Sequence, residues 1–320
     1  MISGILAGIL WAIETLILGM ALKMVPFVSS AQAIILAPFV STFIHDLFAG
    51  IIASIINGVK KESKELVVAL KSKSGKYLIM ASIIGGPIGM SGYVLSVSNM
   101  GPSIGAVASA IYPAIGAVLA YIFLKEKISW YRWIFLIISL LGVYGLSYSP
   151  DININNFWLG FLGTLMCSFG WGIEAVIITK YIKNVKNEVA LQIRLCTSAI
   201  IYGLIIIPLL KAWPFTISII SSSPELILII GFAGLFACLS YFFFYNALRQ
   251  IGAAKAMALD VTYCAWDVIF SIIFLHERSL LNPLSISCVI IVLVFGILAA
   301  CDYKELFKKR NKLNNWLCIK

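Results

Sequence analysis

The sequence predicts an all-α integral membrane protein of ten transmembrane helices, built as two five-helix repeats that lie in the bilayer in opposite orientations. Three observations predict it. Apolar residues make up 61% of the chain and charged residues 12%, with a mean hydropathy of +1.00, whereas soluble domains carry roughly 45–50% apolar residues. Apolar runs recur at about the 20 residues that cross a hydrocarbon core at ~1.5 Å per residue. The chain also repeats itself, as described below.

Taken in order, the expected spans are 2–22, 28–56, 77–98, 102–124 and 131–149, then 157–180, 189–210, 225–247, 253–275 and 284–301. The first begins at the initiator methionine, with no basic lead-in and no small-residue cleavage pattern, so it reads as a retained helix. The second carries His45 and Asp46 and is followed by a lysine-rich connection near 58–76. Gly85-Gly86-Pro87-Ile88-Gly89 interrupts the third, because proline lacks an N–H and glycine favours no helix; it reads as a hinge or a thin cavity wall. After the last span comes a basic tail, 302–320.

With the N-terminus in the cytoplasm, 20 of the 24 lysines and arginines fall in inside segments, so the positive-inside rule puts both termini in the cytoplasm of a multi-pass cell-membrane protein. The net charge of +10 therefore has a membrane explanation, and no nucleic-acid partner is expected. The basic loop and tail read as orientation signals that can also meet anionic lipid. The seven cysteines show no metal-ligand spacing, and five fall inside apolar runs; no metal or cofactor is expected.

A shift of 160 residues aligns 11–34 with 171–194, placing Trp11, Glu14, Lys23 and Gln32 on Trp171, Glu174, Lys183 and Gln192. A shift of 151 aligns 101–128 with 252–279, placing Tyr112 and Glu126 on Tyr263 and Glu277. Shared greasiness rarely matches Trp, Glu, Lys, Gln and Tyr. The duplication predicts two repeats, 1–149 and 157–301, and an odd number of helices per repeat inverts the second.

The end of the fourth span, Ala114 to Ser129, and its partner, Tyr245 to Ser279, resemble the EamA-type repeat of the drug/metabolite transporter superfamily: small residues, a bulky apolar turn, then Glu126-Lys127 and Glu277-Arg278. The resemblance implies a secondary transporter whose central cavity is lined mainly by spans one, three, four, six, eight and nine, with five and ten peripheral. The chain departs from the pattern where Cys264 stands opposite Pro113, and in carrying a mid-helix glutamate in each half. Gly8-Ile9-Leu10 followed by Glu14 also resembles the smaller multidrug-resistance members, where a first-helix glutamate binds protons and cationic drugs.

Ionisable groups at a helix centre cost at least ~2.5–3.5 kcal/mol, so each needs a reason. Glu14 and Glu174 sit nine residues before Lys23 and Lys183, about 13 Å from the interface, with Trp11 and Trp171 on the same helix faces. A carboxylate beside an indole can hold a cation by charge and ring face. Burial also favours a neutral, protonated carboxyl, so proton and cation would compete. The alternative is a structural glutamate packed by a tryptophan. Asp260 and Asp267, with Tyr263 between them, are expected on one face of the ninth span, adding negative potential or interhelical hydrogen bonds. His45 and Asp46 form a proton relay or a structural pair, and Arg194 either snorkels to the inner surface or pairs with Glu174. Gln32 and Gln192 are neutral hydrogen-bonding candidates, and Glu126 and Glu277 are expected to fix helix ends.

These residues point to a secondary-active transporter, a monomer or homodimer, that moves a small organic solute, cationic or amine-bearing, in exchange for protons. The rival reading is an amino-acid or metabolite exporter or facilitator without proton coupling. Nothing resembles a nucleotide site, a zinc signature or a nucleophile elbow, which argues against an ATP-driven pump. A membrane-embedded enzyme would gather polar residues at one interface of one half, and a scaffold would need no central polar set.

Overall fold

The computed structural model of the chain describes residues 1–100, 110–148 and 156–302. The start of the expected 102–124 span and the tail beyond Asp302 lie outside the described residues. Those that are described form helices and short connections, without a strand among them. Eight helices are long and apolar enough to cross a membrane: α1 (Ile2–Leu22), α2 (Ala31–Val59), α4 (Lys73–Met100), α7 (Phe157–Asn184), α8 (Asn187–Leu209), α10 (Pro224–Ile251), α11 (Ala253–Phe274) and α12 (Pro283–Ala300). Two shorter apolar helices, α5 (Tyr112–Phe123) and α6 (Trp130–Leu146), occupy the remaining expected spans. The sequence reading missed α3 (Ser63–Lys71) and α9 (Trp213–Ser222), helices of 9 and 10 residues, too short to stand out in a hydropathy scan for spans.

Local chemistry sets the boundaries. Ser30 and Ser72 accept hydrogen bonds from Ala33 N–H (3.1 Å) and Gly75 N–H (3.0 Å), opening α2 and α4. Pro224 and Pro283 stand in the first turns of α10 and α12, where a missing N–H costs nothing. Gly252, with φ +83, separates α10 from α11. The first two amides of α11, Ala253 and Ala254, donate to the Glu126 carboxylate at 2.8 and 3.1 Å, so the acid at the end of α5 caps a helix of the other half.

Three helices are not regular. Ile84–Gly89 in α4 and Tyr202–Ile206 in α8 are π-helical, and α11 is interrupted at Val261–Thr262, between Ala253–Asp260 and Tyr263–Phe274. Thr262 Oγ1 closes that turn on the Leu259 carbonyl at 2.6 Å. Asp260 precedes this turn and Asp267 follows it, so the two aspartates expected on one face stand on separate segments of α11.

In the packing, α1 lies on α10 and α4 on α7; α2 crosses α8, and α6 lies along α12. Large apolar side chains such as Leu204, Leu209 and Leu228 remain on the outside, where a bilayer rather than water is the compatible solvent. Polar side chains gather instead between the helices, at the centre and at the end carrying Lys60 and Lys186.

Candidate functional site

Two adjoining clefts meet at a wall made by Trp11, Trp171 and Tyr241. Trp11 stands edge-on to both partners, with ring centroids 6.4 Å from Trp171 and 5.3 Å from Tyr241, and lies 6.0 Å from Tyr263. Tyr112 meets Trp171 edge-on at 5.6 Å. The Trp171 indole is fixed by donating from Nε1 to the Gly85 carbonyl at 2.9 Å.

That contact explains the glycine run in α4. A Cβ on Gly85 would lie 1.8 Å from Glu174 Oε2, one on Gly86 2.6 Å from Ser198 Oγ, and one on Gly89 2.9 Å from the Trp171 ring. The run is a thin wall on which α7 and α8 lay their functional side chains, one of the two roles expected of it.

The first cleft is aromatic and acidic. Besides the wall, Tyr112, Tyr245, Tyr263, Glu174 and Asp260 line it. The Tyr112 hydroxyl donates to Asp260 Oδ2 at 2.5 Å, while Asp260 Oδ1 and the Tyr245 hydroxyl are buried without a hydrogen-bond partner among the described residues. Among the described residues, no basic side chain lines it. The second cleft holds Glu14, His45, Asp46 and Arg194. Water-sized space amounts to about 30 Å³ in the first and 50 Å³ in the second, room for a few waters; a larger solute enters only if rings turn aside.

Five ionisable side chains run in line across both clefts. Glu174 Oε1 lies 3.3 Å from Arg194 Nε, and Arg194 Nη1 lies 3.7 Å from Asp46 Oδ2. Asp46 Oδ1 meets His45 Nδ1 at 3.0 Å, and His45 Nε2 faces Glu14 Oε1 at 3.2 Å. All five are at most 8% exposed. Arg194 also donates from Nη2 to the Tyr241 hydroxyl at 2.6 Å, with its guanidinium carbon 4.2 Å above the same ring.

The structure thus brings together Trp11, Glu14, His45, Asp46, Trp171, Glu174, Asp260 and Tyr263. Asp267 lines neither cleft; half-buried beyond the break in α11, it lies within electrostatic reach of Glu14. Arg194 turns inward to Glu174 rather than snorkelling, because three buried carboxylates there have His45 as their other basic neighbour. The pairing of Arg194 with Glu174 is one of its two expected placements, whereas Tyr241 and Tyr245 were missed as site residues, although they stand four apart on one face of α10. Gln192 joins α2 to α8, accepting from Asn57 Nδ2 at 2.7 Å and donating to Ser54 at 2.9 Å, whereas its sequence partner Gln32 is exposed. The lining comes from α1, α4, α5, α7, α10 and α11, the six spans implied by the resemblance, joined by α2 and α8.

A family model described as the EamA-like transporter family matches residues 1–148 and 158–300. The chain belongs to that family. It is therefore a multi-pass membrane protein of the drug/metabolite transporter type, whose partners are small-molecule solutes and membrane lipids. Over 229 residues it is 28% identical to Protein LicB of Haemophilus influenzae, a match that spans 70% of this chain and 75% of that protein. A solved crystal structure shares its fold with a TM-score of 0.71 over 93% of this chain and 95% of its own, at 15% identity.

Proposed function

We propose that this EamA-like transporter moves a small organic cation across the cell membrane in exchange for protons. The first cleft carries the reading: the rings of Trp11, Tyr112, Trp171, Tyr241 and Tyr263 line it with Glu174 and Asp260, and among the described residues its lining includes no basic side chain, although Arg194 reaches Glu174 from the neighbouring cleft. A desolvated cation over an aromatic face gains about 2 kcal/mol or more, and the carboxylates supply the opposite charge. Rings cannot replace the hydration shell of a small, strongly hydrated ion. They suit alkylated ammonium groups, whose charge is spread over methyl groups that water holds weakly.

The architecture that goes with this reading is ten spans in two inverted repeats, 1–149 and 157–301, with both termini and the basic tail 302–320 in the cytoplasm. The packing supports it, since exchanging the first five spans with the last five maps α1 on α10 to α7 on α4 and leaves the α2–α8 and α6–α12 pairs unchanged. Phe43 packs against Gly203, its own counterpart under the 160-residue shift, as residues on a two-fold axis do. Lys60–Glu188 and Lys186–Glu62 ion pairs (2.6 and 2.7 Å) close the basic end, the side assigned to the cytoplasm.

One observation favours a second reading. Arg194 beside Glu174 offers both charges, which suits the carboxylate and amine of an amino acid. Counterflow in proteoliposomes separates the two: tetramethylammonium should exchange across the membrane, and Trp171→Leu should abolish the exchange while Trp171→Phe keeps part of it. Exchange of neutral or zwitterionic amino acids without any of tetramethylammonium would refute the cation reading.

A further inference from the structure

We infer that proton and solute occupy separate clefts and that Arg194 is the residue that makes each expel the other. This rests on the cation-exchange reading above. Along the line Glu174, Arg194, Asp46, His45, Glu14, the charges alternate in sign when the imidazole is protonated. The spacing is uneven. Arg194 is within hydrogen-bonding reach of Glu174 at 3.3 Å and of Tyr241 at 2.6 Å, but its 3.7 Å gap to Asp46 is too long for a hydrogen bond. The guanidinium lines the second cleft, yet its hydrogen bonds go to Glu174 and Tyr241 at the edge of the first, and it only leans toward Asp46.

A cation entering the first cleft competes with Arg194 for the Glu174 carboxylate. Arg194 stays charged under all conditions and must keep a carboxylate partner; Asp46 is the one within reach. Closing that gap brings the guanidinium onto Asp46 Oδ2, opposite the Oδ1 that His45 holds; the carboxylate then shares its charge with a second cation, stabilises the imidazolium less, and the proton leaves in the second cleft. In reverse, a proton on His45 draws Asp46 back, returns Arg194 to Glu174 and displaces the solute. The books balance: with a protonated imidazole and no solute the line carries −1, and with a monovalent cation bound and a neutral imidazole it again carries −1. Exchange of one proton for one monovalent cation is then electroneutral.

The other groups around His45 fit this assignment. From α10 the second cleft receives Tyr241, already bound to Arg194, and from α4 it receives Gly85, Gly86 and Met90, which do not titrate. From α8, Tyr202 lies within electrostatic reach of Asp46, and Tyr93 of α4 and Asp267 of α11 lie within reach of Glu14. By linkage, whatever factor the cation imposes on proton affinity, the proton imposes on cation affinity.

The test uses purified full-length protein in weakly buffered detergent solution, with tetramethylammonium as the probe, tryptophan fluorescence reporting binding and a pH-sensitive dye reporting protons. About one proton should leave per cation bound, and affinity should rise about tenfold for each unit of pH through the range where His45 titrates. In His45→Gln that slope should flatten. Arg194→Lys, which keeps the charge but loses the fork that spans two carboxylates, should flatten it as well. Binding without proton release would overturn the linkage while leaving the cation reading standing. An unchanged slope in Arg194→Lys would remove Arg194 from it. No binding of any organic cation would overturn the reading beneath.

Discussion

The two halves write the same words at their centre, Trp11 with Glu14 and Trp171 with Glu174, yet surround them differently. Glu174 rests on a glycine wall and faces a permanent cation, Arg194. Glu14 faces His45, an imidazole that carries charge only when protonated. The same asymmetry extends along the α2–α8 crossing: toward the basic end it holds Ser54, Asn57, Gln192 and the Lys60–Glu188 pair, while beyond Phe43 it holds aromatic contacts such as Phe43 with Trp213 at 5.5 Å. The two glutamates recur at one offset in the sequence, but one has a permanent cation as its neighbour and the other an imidazole.

The sharpest way to break this comparison is to remove each cation. Arg194→Met leaves Glu174 without its basic partner and Asp46 with His45 alone, and should cost about 3–5 kcal/mol, whereas His45→Gln, which keeps a hydrogen-bonding group at that position, should cost ~1 kcal/mol; thermal unfolding in detergent compares them. Equal losses would mean that the two carboxylates are held alike. Next come the carboxylates themselves. Glu174→Gln should weaken tetramethylammonium binding by about 10- to 100-fold, the loss of one charged partner, while Glu14→Gln should act mainly on its pH dependence. Titrating binding against pH in both variants decides it.

Smaller effects sharpen the picture. Gly85→Ala drives a methyl group into Glu174 and should destabilise by roughly 1–3 kcal/mol, with loss of cation binding. Gly19→Ala, on the opposite half with nothing within 4 Å of the added carbon, should instead stabilise by roughly 0.5–1 kcal/mol. Last, Gln192→Leu should cost ~1 kcal/mol by removing one partner each from Asn57 and Ser54, which keep the Glu188 and Gly50 carbonyls, against less than ~0.5 kcal/mol for Gln32→Leu. A matched cost for the two glutamines would show that sequence pairing alone governs their roles.

Much of this was legible in the sequence. Apolar length marked every long helix to within a few residues, as at Ile2–Leu22, and the recurrence of Trp and Glu at one offset singled out the centre. What escaped depends on which way a side chain turns. Arg194 lies eight residues into α8, about 11 Å along the helix, a depth from which arginine can reach either the interface or the core; its counterpart under the 160-residue shift, Ile34, gives no hint. The break at Val261–Thr262 escaped for a related reason. It contains no glycine or proline, and its turn is closed by a threonine hydroxyl onto a backbone carbonyl, a bond that no residue pattern announces.

The Glu126 cap has a mechanical consequence. Two amides at the start of α11 belong, in effect, to α5, and Gly252 admits this only because a side chain there would strike the carboxylate 2.6 Å away. The start of α11 cannot slide without dragging the end of α5 along. An opening between the two helices that keeps these hydrogen bonds is a swing about that point, widest at the far end of the pair.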